Sequence, residues 1–200
     1  MNRLLALAFV VSLVACSKDN AATSSVKSTE TIAPPASTAL PDPAMAVVGE
    51  PLLAYLSLAR SMHTRATLLE KENRIAEALV ELDGLVAATP PKGDYIEVRE
   101  VRVDTYARLA ELRMTIDPER ASKDVAAGLE LGPTGYFLGR MLEVSGIVDK
   151  ARAKTSEEAG KIAEAKVLRE KALATLKRAA EIQRTVLDEA TTRDSKEAGR

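Results

Sequence analysis

Two side chains invite a chemical reading by their rarity: Cys16 is the only cysteine and His63 the only histidine of the 200 residues. A thiol is the best nucleophile in the ordinary side-chain set once it is ionised. Cys16 closes the run Leu13-Val14-Ala15-Cys16, at the end of an apolar stretch over residues 4–14 that follows the basic start Met1-Asn2-Arg3. A basic start, a short apolar run and a small residue before the cut describe a secretory leader. His63 has no second histidine and no other cysteine with which to hold a zinc ion, and reads as a helix-surface residue. No Gly-rich phosphate loop, dinucleotide fingerprint or Gly-x-Ser-x-Gly turn occurs. Carboxylates such as Glu70, Glu72, Glu157 and Glu158 stand among lysines and arginines at helical spacing, the pattern of a solvated face. Catalysis, metal and cofactor are therefore not expected.

The ending Leu-x-Ala-Cys resembles the lipobox of bacterial lipoproteins. That resemblance implies that residues 1–15 are a signal peptide. Cys16 would receive a diacylglyceryl group on sulfur, become the mature N-terminus and then be N-acylated. The apolar run of eleven residues falls short of the roughly 20 that a spanning helix needs. Two or more acyl chains, at about 0.8 kcal/mol per buried methylene, anchor a protein stably. A lone free thiol would be a liability in an oxidising compartment. Ser17, not aspartate, follows Cys16. By resemblance to lipoprotein sorting in Gram-negative bacteria, this implies the outer membrane, with the chain facing the periplasm.

Charge narrows the partners. Arg3 is the only charged residue of the leader, so the remaining chain carries 27 basic against 29 acidic side chains. Nucleic acid demands a concentrated basic surface, which this balance does not supply. Hydrophobic residues make up 46% but aromatics only 3%, with no tryptophan, so a core must be built from Leu, Val, Ala and Ile. Together with abundant Glu, Lys and Arg, this is the composition of packed helices.

Residues 16–46 read as the lipidated cysteine and a tether rich in Ser, Thr, Pro and Ala, with little to bury. About 30 such residues reach roughly 100 Å when extended and about 30 Å as a flexible coil. From about Val47 the pattern turns helical. Pro51 suits a first turn, and Leu52, Leu56, Ala59, Met62, Ala66 and Leu69 recur at three- and four-residue steps. A second helix runs from Ile75 to Val86, stopped by Pro90-Pro91-Lys92-Gly93, and a third from about Asp94 to Met114. Asp117-Pro118-Glu119 signals a fourth, through an N-cap, a first-turn proline and an acid at the positive helix end. That helix stops at Gly132-Pro133. The fifth is expected over about 135–158 and the sixth over 161–190, within a helical-repeat domain of 47–190, leaving a polar, frayed tail at 191–200.

These helices repeat. Ala78, Ala121 and Ala165 are 43 and 44 residues apart, each near the start of the second helix of a pair. The same offsets relate Leu85 to Gly128 and Ala172, and Val86 to Leu129 and Leu173. In the first helices an offset of 43 at both steps relates Leu52 to Tyr95 and Leu138, and Tyr55 to Val98 and Met141. A fixed period in this range marks stacked repeats whose faces are covered only by their neighbours. The expected fold is all-α, an α-α superhelix of about three stacked helical hairpins.

On this spacing the chain resembles the tetratricopeptide repeat family over about residues 50–190. Met62, Ala66, Leu69, Asn73, Ala78, Leu82, Leu85 and Pro90 carry the first unit. Leu109-Ala110, Ala121, Val125 and Pro133 carry the second, and Gly160, Ala165, Ala172 and Leu173 the third. The period exceeds the family's usual length, nearer the kinesin-light-chain type, and Arg65 and Arg169 stand at positions that prefer apolar residues. The resemblance implies a concave groove lined by the first helices, and by position it assigns to that groove Arg60, His63, Thr67 and Lys71, then Tyr106 and Arg113, then Lys150 and Lys154. This basic set implies an acidic segment or C-terminal carboxylate on a partner envelope protein. The functional expectation is a membrane-anchored protein-interaction scaffold or assembly factor. The alternative is a structural helical lipoprotein that self-associates as a homo-oligomer.

Overall fold

A computed structural model of the chain describes residues 49–198. The leader, Cys16 and the tether lie outside the described residues. Every regular element among the described residues is a helix: α1 (Glu50–Lys71), α2 (Ile75–Ala87), α3 (Ile96–Arg113), α4 (Pro118–Glu130), α5 (Gly135–Glu158) and α6 (Ile162–Ala198). They pair as α1–α2, α3–α4 and α5–α6, and both helices of each hairpin pack on the first helix of the next. The fold is an all-α stack of three helical hairpins.

Local chemistry sets the turns. Asn73 and Gly160 both take a left-handed backbone, with φ of 57° and 76°. In each turn the next amide reaches back five residues, Arg74 N to the Leu69 carbonyl and Lys161 N to the Ser156 carbonyl, both at 2.8 Å. This helix-ending geometry needs glycine or asparagine, the residues that bear a positive φ at least cost. Asn73 and Gly160 stand two repeats apart, so the first and third hairpins turn in the same way. At α4 the Asp117 carboxylate accepts the Arg120 amide at 3.0 Å, and Pro118 occupies the first turn.

The repeat register holds in the packing. Ala78, Ala121 and Ala165 are all 0% exposed, where only a methyl group fits between paired helices. Tyr55, Val98 and Met141 are buried at the equivalent first-helix positions. Val86 and Leu129 lie against the cores of their hairpins, whereas their counterpart Leu173 is 72% exposed. Among the described residues α6 packs on α5 alone, so no helix covers it.

The last pair runs in close contact. A Cβ at Gly146 would lie 2.6 Å from Leu176 Cγ and 3.1 Å from the Ala172 carbonyl oxygen. Gly146→Leu is therefore expected to cost about 1–3 kcal/mol through overpacking. A thermal melt followed by circular dichroism reads it as a lowered midpoint. The sequence ends α6 at Ala190, but the helix continues to Ala198. The polar stretch over residues 191–198 contains no glycine or proline that would stop it.

Candidate partner-binding cleft

The first helices α1, α3 and α5 lie side by side, and a cleft of about 390 Å³ opens between them. Leu56, Ala59, Arg60 and His63 form its α1 wall. Glu97, Glu100, Val101 and Asp104 form the α3 wall, and Phe137 contributes from the first turn of α5. Tyr136 stands beside Phe137, the two rings edge to face at 5.3 Å and 80°.

Farther along the same helices, arginines bridge the gap that the cleft leaves open. Arg108 on α3 reaches α1, donating to the His63 carbonyl at 3.2 Å, to Thr67 Oγ1 at 3.1 Å and to Glu70. Arg140 on α5 reaches α3, donating to Asp104 at 2.9 Å and to Glu111 at 3.2 Å. Forked guanidinium–carboxylate pairs of this kind fix relative geometry as well as charge.

His63 belongs to this network. Thr105 Oγ1 donates to the Val101 carbonyl at 2.7 Å, so it accepts from His63 Nε2 at 2.9 Å. Nδ1 is then left to accept from Arg108, 3.3 Å away. That assignment is the neutral imidazole, and burial is what holds the pKa below its usual 6.5. Asp104 pulls it upward, while Arg108 and Arg140 push it further down. Because the unfolded chain takes the proton more readily than the folded one, stability is full above about pH 6.5 and declines as pH falls below it. The urea midpoint should therefore drop more between pH 7 and pH 5.5 in the wild type than in His63→Gln. Equal drops would show that His63 is solvated.

Of the residues assigned by sequence to the groove, Arg60 and His63 line the cleft, and His63 does so as a neutral group. Thr67 lies in the Arg108 bridge, and Lys71 is exposed at the end of α1. Arg113 is not available to a partner. It is 5% exposed, donates from Nη1 to both Asp124 oxygens at 2.8 and 2.7 Å, and from Nη2 to Asp83 Oδ1 at 2.6 Å. Burial pulls its pKa down, but the bonds to Asp124 and Asp83 more than offset this and hold it cationic. It fastens α3 to α2 and α4. Tyr106 also faces away from the cleft, packed among the buried side chains of the first and second hairpins. Lys150 and Lys154 are exposed on the second half of α5 and line no part of the cleft, with Lys154 3.8 Å from Glu158. The basic groove expected from sequence is not assembled.

What replaces it is a wall the sequence reading passed over: Leu56, Glu97, Glu100, Val101, Asp104 and Phe137. These residues come from three helices and lie far apart in sequence. Arg60, Glu97 and Glu100 have no ion-pair partner among the described residues, although Glu70, Asp104 and Glu111 each have an arginine.

Among the described residues no cluster of three metal-ligating side chains occurs, and no helix is long and apolar enough to cross a membrane. Comparison with protein-family models and with curated proteins gives no match.

Proposed function

We propose that the chain is a lipid-anchored interaction scaffold of the cell envelope, docking a partner protein in the α1–α3–α5 cleft. The observation that carries this reading is the cleft itself. It is concave, apolar at Leu56, Val101 and Phe137, and lined by Arg60, Glu97 and Glu100, which have no ion-pair partner among the described residues. Recognition sites commonly combine an apolar floor with a few oriented polar groups. The arginine bridges keep the walls at a fixed separation, so little ordering cost falls on binding.

The anchor and location rest on the sequence around Cys16. Acylated there and sorted to the outer membrane, the chain holds its helical domain in the periplasm on a tether of about 30 residues. In this reading it performs no catalysis. Cys16→Ser should leave an unprocessed precursor without lipid, read by intact mass. A mature, membrane-held variant would overturn the anchor.

A second reading, self-association, is favoured by one feature: Ile162, Val167, Leu173 and Leu187 are exposed along α6. Crosslinking in intact envelopes separates the two, comparing wild type with Arg60→Trp, which adds bulk at an exposed cleft position. The scaffold reading expects a discrete heterologous product that the variant loses while its melting temperature is unchanged. Equal recovery in both moves the site off the cleft, and products of this chain alone favour self-association.

A further inference from the structure

Resting on that reading, we infer that the cleft takes a cationic side chain, lysine or arginine, presented by an apolar segment of the partner protein. The first argument is selective pairing. On this face Glu70, Asp104 and Glu111 are each held by Arg108 or Arg140. Glu97 and Glu100, on the wall of the cleft, are left without a cation among the described residues. The positive end of α3 favours Glu97 in the first turn, but Glu100 lies a turn further in, where that effect has faded.

The second argument is the aromatic and apolar lining. Phe137 stands on α5 across from the two glutamates on α3, with Leu56 and Val101 beside it. A cation held between an aromatic ring and carboxylates gains from both, and its aliphatic stem packs on the apolar wall. The third is the charge balance. His63 is neutral and Asp104 is matched by Arg140, so the unpaired charges are two anions on α3 against Arg60 on α1. An acidic segment would meet like charge along α3. A basic one meets it only at Arg60, on the opposite wall, which directs the incoming cation toward Glu97 and Glu100.

The test uses the full chain in a nonionic detergent and two short fluorescein-labelled peptides. One carries lysines among leucines and alanines, and the other has glutamate at every lysine position. Fluorescence anisotropy should show the lysine peptide binding about tenfold more tightly, as expected for charge-assisted contacts. Glu97→Gln with Glu100→Gln should abolish that preference while lowering the thermal midpoint by only a few degrees, the loss of the Glu97 helix-end interaction, since neither side chain is in an ion pair. A lysine preference that survives the double variant would overturn the assignment of the cation to this cleft. Stronger binding of the glutamate peptide, lost on Arg60→Gln, would overturn the cation while leaving the cleft as the docking site. Binding of neither peptide overturns the cationic pocket, and the envelope crosslink then decides the docking reading separately.

Discussion

Arg113→Leu should lower the stability of the helical domain by about 3–5 kcal/mol, because it strips the partner from two carboxylates at a three-helix junction. Asp124 is nearly as buried as Arg113 and would lose its ion-pair partner, burial then pushing its carboxyl further above the usual carboxylate range. Asp83 is 41% exposed and recovers water more easily, so most of the loss should come from Asp124. At about 2–4 °C per kcal/mol for a domain of this size, the melting midpoint should fall by on the order of 10 °C. Adding Asp124→Leu to Arg113→Leu should return much of the loss, since an apolar pair of similar bulk can replace a buried ion pair. Urea titrations of the single and double variants measure this. A fall of less than about 1 kcal/mol in the single variant would mean that Arg113 is solvated, as its earlier assignment to a binding surface required.

Ala121→Arg should be worse still. Its methyl group is fully enclosed among Val103, Ala107, Ala110, Val125, Met141, Val144 and Val148. A guanidinium there has neither space nor a counter-charge, and an unpaired buried charge costs several kcal/mol even after local rearrangement. That is comparable with the 5–15 kcal/mol of net stability typical of a domain. The expected result is loss of the cooperative thermal transition. Lys123→Ala, two residues along on the exposed side of α4, should shift it by no more than about 0.5 kcal/mol. The same arginine at Ala78 or Ala165 should behave as it does at Ala121, because the three positions are one position repeated. An unchanged melt at Ala121 would contradict the repeat register.

That register was legible because it rests on excluded volume. Small residues recurring at 43 and 44 positions report a close helix contact wherever the chain places it. The turn at Asn73 and Gly160 and the cap at Asp117 were legible for a similar reason, since each depends on a few neighbouring residues. The cleft was not. Its walls come from three helices far apart in sequence, and which residues share it follows from how whole helices pack rather than from any local pattern. Arg113 misled for the same cause. A lone arginine at a surface-like spacing says nothing of Asp83 and Asp124, 30 and 11 residues away, which make it part of the interior. The end of α6 could have been read better, because the first stop signal after Ala190 is Gly199.

The most direct test of the docking account is site-specific photo-crosslinking in living cells. A benzophenone amino acid would be placed at Arg60 or Glu97 on the cleft, and at Val80, Lys123 or Val167 on the outer faces of the second helices, all exposed positions. The account predicts one heterologous adduct of constant mass from both cleft positions and none from the three outer ones. Adducts from the outer series with a silent cleft would contradict it.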